Sequence, residues 1–319
     1  MGRQAFERKM AELETLRHSA SPAGELRKSL RDRNNYLVSK AAAITGELGL
    51  RELVPDLVAA FERFLSDPVK SDPQCWAKNA IAKSLKDLDY DEPEFFLRGM
   101  KHFQMEPVWG RREDTAQTLR AACLLALVGC PLPRLAILPH LVDALGDPAK
   151  TVRADAARAM AQIGGVESLL LLRLKAICGD SEAEVVGTCL AGMLAMAPRD
   201  SIRFIAGFLD SDRENVPAEA AAVLSESSDP EALAILREKG RSHANPDVRR
   251  VILLSLGASR MEGAAEFLLS IVAEGRPEDA AHAIRALAAG RFREEYRDRV
   301  LRAAEARPEL MAAYRREFR

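Results

Sequence analysis

The chain repeats a short pattern along its length. Residues 147–165 (DPAKTVRADAARAMAQIGG) and 245–257 (NPDVRRVILLSLG) both open with an Asn-Pro or Asp-Pro turn and place Val-Arg ahead of a small, apolar stretch. Alignment on the large apolar residue of that stretch gives eight anchors, spaced 31 to 40 residues apart. They are Thr45, Leu85, Leu125, Met160, Met193, Leu224, Leu256 and Leu287. Self-similarity at this period is typical of stacked supersecondary units, none of which can bury its apolar face alone.

Each unit has the pattern of two helices. In the fourth unit, Val152, Ala156, Ala159 and Ile163 form an apolar stripe at helical spacing, and two glycines follow it. No stretch alternates apolar and polar residues with β-branched enrichment, so we expect no sheet. Breaks between helices are expected near Gly49, Gly129, Gly164, Pro198 and Gly257.

The repeated Asp-Pro and Val-Arg pattern resembles HEAT repeats, and in particular the short bacterial repeats of the phycobilin-lyase-like subclass. The resemblance covers residues 30–305 and is cleanest at residues 147–153 and 245–249. It implies an all-α fold, a right-handed α-solenoid of about eight helix pairs. First helices would line the convex face and second helices the concave face.

The two ends of the chain have the pattern of capping helices. Residues 3–17 and residues 309–318 each carry an apolar stripe between charges. We therefore predict one continuous solenoid over residues 1–319. Its parts are an N-terminal cap (1–20), three longer irregular repeats (21–146), five short regular repeats (147–306) and a C-terminal cap (307–319).

The charge balance argues against nucleic acid as a partner. The 46 Lys and Arg residues face 47 Asp and Glu residues, for a formal net charge of −1, and no basic run stands out. No apolar run reaches the length of a membrane span. The five cysteines form no C-x-x-C pair and are expected to be reduced thiols. We therefore expect a cytoplasmic protein that binds neither nucleic acid nor membrane, as a monomer or weak homodimer.

Three enzyme families use related repeats and are possible alternatives for this chain. The metal-dependent deoxyhypusine hydroxylases carry His-Glu dipeptides, and none of the five histidines here precedes a glutamate. We therefore expect no metal and no cofactor. A DNA alkylation-repair glycosylase, suggested by Trp76, Trp109 and Asp114, is an alternative that the charge balance disfavours. A chromophore-lyase-like accessory enzyme is the other alternative, although no distinctive nucleophile supports it.

The long early repeats are the expected location of a binding surface. Their extra length falls around Asp87–Glu94 and Gln104–Asp114, and long ordered loops on a regular scaffold often carry function. We expect these two segments to emerge on the same edge or at adjacent turns, with Trp109 at least partly exposed beside Arg98 or His102. The candidate partner-binding residues are Trp76, Arg98, His102, Trp109, Arg111, Arg112 and Asp114. The alternative is structural: Trp76 packs inward and Trp109 holds a long loop in place.

The sequence thus predicts a non-catalytic scaffold or adaptor that binds a protein or peptide partner through its curved repeat surface. It does not identify the partner.

Overall fold

The computed structural model describes residues 3–319, which are almost entirely helical. Contacts group the chain into two compact units, the first ending at Ile163 and the second beginning at Gly164.

The first unit holds ten helices and one hairpin. The helices are α1 (Arg3–Thr15), α2 (Ala23–Leu30), α3 (Asn35–Glu47), α4 (Val54–Leu65), α5 (Pro68–Ser71), α6 (Trp76–Asp87), α7 (Pro93–Met100), α8 (Gln117–Leu127), α9 (Arg134–Ala144) and α10 (Lys150–Ile163). The strands β1 (Met105–Val108) and β2 (Arg111–Asp114) lie between α7 and α8.

The second unit holds ten helices in a more regular array. They are α11 (Val166–Cys178), α12 (Ala183–Met196), α13 (Pro198–Ala206), α14 (Val216–Glu226), α15 (Pro230–Ser242), α16 (Pro246–Ala258), α17 (Glu262–Glu274), α18 (Pro277–Ala289), α19 (Arg293–Glu305) and α20 (Met311–Glu317).

Local sequence explains several of the helix starts. Asn34 accepts a hydrogen bond from the Leu37 backbone N–H at 3.0 Å and caps α3. Asp229 and Asn245 cap α15 and α16 in the same way, and each is followed by proline at the first helical position. Proline suits that position because the N–H it lacks would have no partner within the helix.

The helices alternate as the repeat pattern predicts. In chain order, sixteen of them follow one another as the first and second helices of eight repeats, and the boundary between the two units falls between α10 and α11. Within each unit the first helices pack on one another in order, through α3, α6, α8 and α10 and through α12, α14, α16 and α18. The all-α repeat fold is therefore confirmed. Leu13 of α1 and Leu310 and Phe318 around α20 are buried.

Close helix approach depends on small residues in the core. A Cβ on Gly257 of α16 would lie 2.6 Å from the carbonyl oxygen of Ala286 on α18, so only glycine fits there. Gly46 of α3 similarly faces Ser84 of α6, whose hydroxyl donates to the Ala42 carbonyl at 2.7 Å. These contacts bring neighbouring first helices close together and exclude water from between them.

A buried cation recurs at one position of the first helices. Lys78, Arg120, Arg153 and Arg249 each donate to a backbone carbonyl of the segment before their helix. In three of these helices the cation stands seven residues before the anchor of the repeat, as Lys78 stands before Leu85. In α10 and α16 the arginine of the Val-Arg pattern therefore ties the first helix to the turn before it.

The same spacing corrects one anchor. Seven residues after Arg120 stands Leu127, which is fully buried, whereas the predicted anchor Leu125 is only half-buried. The predicted register of the third repeat is therefore wrong by two residues. The apolar run from Cys123 to Val128 offered several equivalent anchors, and only the packing distinguishes them.

Candidate functional site

The segment between α7 and α8 is a β-hairpin, so the expectation of no sheet is wrong here. β1 and β2 are antiparallel, with Val108 opposite Arg111. The two turn residues, Trp109 and Gly110, both have positive φ angles, of 39° and 84°. Such a turn matches the twist of two short strands. Four-residue strands are too short to show the alternation that predicts a sheet.

A buried glutamate fastens the hairpin to the repeats. Glu106 of β1 is buried, and its Oε1 accepts from the Gln74 backbone N–H at 2.8 Å, from Gln104 Nε2 at 2.6 Å and from the Thr115 hydroxyl at 2.7 Å. Gln74 Nε2 donates to the other carboxylate oxygen at 3.2 Å. Because all these donors are fixed by the fold, the carboxylate fixes the base of the hairpin.

Asp114 joins the end of β2 to the next helix. Its carboxylate accepts from the backbone N–H groups of Gln104 and Ala116, each at 3.0 Å, and pairs with Arg120. Burial by itself would raise the pKa of Asp114, but these hydrogen bonds and the charge of Arg120 outweigh it and lower that pKa. The carboxylate therefore stays ionised and serves as a structural anchor.

His102 lies just before the hairpin and is half-buried. Its Nε2 is 3.3 Å from Gln104 Oε1, and its carbonyl oxygen accepts from Arg120 at 3.1 Å. Burial lowers the pKa of the imidazole more than the contact with Gln104 raises it. The ring is therefore neutral at physiological pH and contributes no cation to a binding surface.

The arginines of the predicted site differ in their surroundings. Arg98 on α7 is exposed and pairs with Glu62, through a contact of 3.0 Å between Nη1 and Oε2. Arg111 pairs with Glu113, and Arg112 donates to the Met105 carbonyl at 3.0 Å across the hairpin. Both hairpin arginines stand within three residues of Trp109 in the chain, whereas Arg98 belongs to a separate ion pair.

The two tryptophans are both at the surface. Trp109 is fully exposed at the tip of the hairpin. Trp76 begins α6 with 47% of its surface exposed, and its ring centroid is 5.1 Å from that of Tyr36. The structural alternative, in which Trp76 packs into the core, is therefore wrong.

The two long segments are successive connections of the chain and lie at opposite ends of α7, so they do not share an edge. The stretch between α6 and α7 precedes the N-terminus of α7, whereas the hairpin follows its C-terminus. The first stretch is an ordinary turn of five residues between Asp87 and Pro93, with Asp89 at a φ of 55°. The extra length of the second repeat lies instead in α5 and the turn before Trp76, which sequence reasoning did not single out.

Several of the residues that build this region were missed. The acidic residues Asp72, Asp114 and Asp147 each stand six positions before the buried cation of their helix. That spacing was visible in the sequence and would have assigned Asp114 a structural role. Glu106 gave no such signal, because its partners come from three separate segments.

Within residues 3–319, no group of three or more His, Cys, Asp and Glu side chains is arranged to hold a metal ion. No helix in that part of the chain combines the length and hydropathy needed to cross a membrane. The cysteines are all free thiols, and only Cys178 is exposed.

Comparison with known proteins identifies the repeats. A family model for HEAT repeats matches residues 202–288, which run from α13 to α18. This part of the chain therefore consists of HEAT repeats, as the sequence predicts. No curated protein sequence matches the chain.

Solved structures with similar helical arrays include two natural proteins. The chain is 18% identical to a chain in the complex of CpcE and CpcF of phycocyanin lyase from Nostoc sp. PCC7120, with a TM-score of 0.37, covering 82% of this chain and 94% of that one. It is 19% identical to human deoxyhypusine hydroxylase, with a TM-score of 0.30, covering 77% and 88% respectively. Neither likeness bears on what the present chain binds or catalyses.

Proposed function

We propose that this protein is a non-catalytic scaffold that binds a protein or peptide partner, with the hairpin of residues 105–114 as its principal contact. One observation carries the proposal. Trp109, a large apolar side chain, is fully exposed at the tip of a hairpin whose base is held by a buried carboxylate. Exposing an indole to water without a compensating contact is unfavourable, and a partner that covers it would remove that cost.

The anchored base makes the tip suitable for binding. Because Glu106 and Asp114 already fix both strands, little conformational entropy is lost when a partner orders the turn. A rigid aromatic residue beside arginine is also the type of side chain that dominates binding energy in protein interfaces. Arg111 and Arg112, both exposed, supply the guanidinium groups next to Trp109.

The remaining residues of the predicted site have supporting or separate positions in this proposal. Asp114 and His102 position the hairpin through their contacts with Arg120. Arg98 and Trp76 lie outside the hairpin and are not needed for its contact with the partner.

The alternative functions have less support from the same geometry. A glycosylase would need an accessible carboxylate near its aromatic residues, whereas Asp114 is held by Arg120 and two backbone N–H groups. A lyase-like role would need a reactive nucleophile, and burial raises the pKa of four of the five thiols. The scaffold is therefore the preferred function, and a cytoplasmic monomer or weak homodimer is part of the same proposal.

The test is affinity purification from the native host with three versions of the chain. The wild type is compared with Trp109→Ala combined with Arg111→Ala, and with a control that combines Leu170→Ala and Arg203→Ala, both exposed in the second unit. We expect a protein that is retained by the wild type and the control and is lost with the hairpin variant. The dissociation constant of the purified pair should then rise at least tenfold for the hairpin variant.

Two results would contradict the proposal. The first is equal retention of every recovered protein by the hairpin variant while its circular dichroism is unchanged. The second is release of an alkylated base from DNA by the purified chain, which would favour the glycosylase.

A further inference from the structure

A second surface feature lies at the start of α3 and α6 and is independent of the hairpin tip. Three aromatic rings follow one another across α1, α3 and α6. Phe6 and Tyr36 have ring centroids 6.0 Å apart, and Tyr36 and Trp76 have centroids 5.1 Å apart at an interplanar angle of 68°. Two nearly perpendicular rings, one of them half exposed, form an apolar corner open to solvent.

Buried hydrogen bonds hold this corner in place. Asn35, next to Tyr36, donates to the Asp72 carboxylate and to the Pro73 carbonyl, both at 2.9 Å. Asp72 is fully buried and also accepts from the backbone N–H groups of Ala77 and Lys78 at 2.9 and 3.0 Å. The starts of α3 and α6 are therefore cross-linked, and the two rings keep a fixed relative position.

Backbone strain precedes Trp76. Gln74 and Cys75 have φ angles of 63° and 55°, a region that residues with a Cβ rarely adopt. Such strain persists only where the surrounding structure enforces it, and it concentrates at functional positions. In this protein the strained backbone at Gln74 and Cys75 leads directly into Trp76, which begins α6 at the surface.

Lysines extend the aromatic corner along both helices. The Lys40 ammonium lies 5.3 Å from the centroid of the Tyr36 ring. Lys83 is exposed and stands seven residues after Trp76, which places it on the same side of α6. Within residues 3–319 no carboxylate comes within 4 Å of either ammonium group. Tyr36, Lys40, Trp76 and Lys83 together are here termed the aromatic–lysine face.

We propose that the aromatic–lysine face binds an acidic peptide segment that carries proline rings. The corner between Tyr36 and Trp76 offers apolar surface to a rigid ring, since proline-rich segments dock in aromatic grooves at low entropic cost. The two free ammonium groups complement carboxylates that flank such a ring.

Aromatic rings beside lysines can also bind a single-stranded nucleic acid. The charge of a nearby residue on α6 favours a peptide over such a ligand. Asp87 is exposed and stands eleven residues after Trp76, on the same side of α6 as Lys83. A phosphate chain that ran along α6 would meet this carboxylate, whereas a peptide that crosses from Lys83 on α6 to Lys40 on α3 would place its carboxylates near both ammonium groups and away from Asp87.

The experiment uses the full chain with Trp109→Phe, so that Trp76 is the single tryptophan. The probe is a ten-residue peptide of alternating Glu and Pro, titrated at low salt while the emission of Trp76 is followed. We expect a saturable change with a dissociation constant below about 1 mM, since few contacts are involved. A peptide of alternating Lys and Pro, one of alternating Glu and Ser, and ten-nucleotide oligo-dT serve as comparison probes.

Single substitutions test whether the peptide binds at the aromatic–lysine face. Lys83→Glu should weaken binding of the Glu-Pro peptide at least threefold without affecting folding, because the side chain is exposed. Lys101→Glu is the matched control, an exposed lysine at the end of α7 outside the face, and should leave the titration unchanged. Trp76→Ala, followed by anisotropy of a labelled peptide, should abolish binding.

The outcomes decide between the possible ligands. Tighter binding of oligo-dT than of the Glu-Pro peptide would overturn the proposal in favour of a nucleic acid. Equal binding of the Lys-Pro peptide, or no emission change at millimolar Glu-Pro peptide, would also overturn it.

Discussion

Arg120 donates two hydrogen bonds to Asp147, 27 positions later in the chain, at 2.8 and 2.9 Å. Its side chain is 1% exposed, and it also pairs with Asp114 at the end of the hairpin and lies 3.9 Å from the centroid of the Phe103 ring. One buried guanidinium therefore joins two consecutive repeats and the base of the hairpin.

Replacement of this arginine should strongly destabilise the first unit. Arg120→Met leaves the carboxylates of Asp114 and Asp147, whose side chains are 18% and 8% exposed, without their cation, which costs about 3–5 kcal/mol. Urea unfolding followed by circular dichroism measures the loss. As a control, Lys28→Met removes an exposed pair with Glu25 and should change the free energy of unfolding by less than about 0.5 kcal/mol. Equal losses of unfolding free energy for the two substitutions would show that Arg120 does not stabilise the first unit more than an exposed lysine does.

The hairpin should depend on Glu106 more than on its cross-strand partner. Glu106→Ala leaves one buried and two part-buried donors without an acceptor, at up to about 1–3 kcal/mol for each unsatisfied group. We expect faster amide hydrogen exchange over residues 104–115 with no loss of helix content. Glu113→Ala, opposite Glu106 in the hairpin, should leave the exchange rates nearly unchanged. Unaltered exchange in Glu106→Ala would contradict the anchoring role.

Substitution of Gly257 tests the close packing of the second unit. In Gly257→Ala the new methyl group would meet the Ala286 backbone of α18, and overpacking of this kind costs about 1–3 kcal/mol. Gly207→Ala is the matched control, because no atom lies within 4 Å of the new Cβ and the φ of −59° suits alanine. The control should be neutral or stabilise the unit by up to about 1 kcal/mol. Thermal unfolding of the two variants distinguishes these outcomes.

The repeat pattern was readable from sequence because it depends on local spacing. The stripe of Val152, Ala156 and Ala159 predicts one helix face, and all three residues are buried. Leu125 was misplaced because neighbouring apolar residues on one helix fit the pattern equally well. Burial of Leu127 and the position of Arg120 resolve the register only once the helices are packed.

The candidate site was less predictable because its determinants are distant in sequence. Exposure of Trp109 was expected from the length of its loop, and the structure agrees. The fastening of that loop by Glu106 depends on Gln74 and Thr115, which no local pattern connects. Asp114 was chosen for its position in the loop, whereas its bond to Arg120 makes it a support for the fold.

The five cysteines should differ strongly in how fast their thiols react. Burial raises the pKa of Cys75 and Cys189 to about 12 and that of Cys130 to about 11, and Cys123 is raised as well, whereas Cys178 is exposed. Only thiolates react with aromatic disulfides, so one of the five thiols should react rapidly at pH 8. Cys178→Ser should remove the rapid phase, and all five should react in the unfolded wild type. Two or more rapid thiols in the native chain would contradict this burial pattern.

Acid should destabilise the first unit through Asp114. Because hydrogen bonds and Arg120 hold its folded pKa below the usual value of about 3.8, its contribution is fully present above that value. The contribution is then lost as the pH falls through the lower folded pKa. We expect the free energy of unfolding to be nearly constant from pH 8 to about pH 5 and to decrease below about pH 4.

Asp114→Asn tests this assignment with little change in shape. The variant should lose about 1.5–3 kcal/mol at neutral pH, the range for hydrogen bonds to a charged group, and should show a shallower acid decline than the wild type. Glu113→Gln, in the same strand, should preserve the wild-type acid profile. Parallel acid profiles for Asp114→Asn and the wild type would place the acid sensitivity elsewhere, because a carboxylate that has been removed can no longer contribute to the slope.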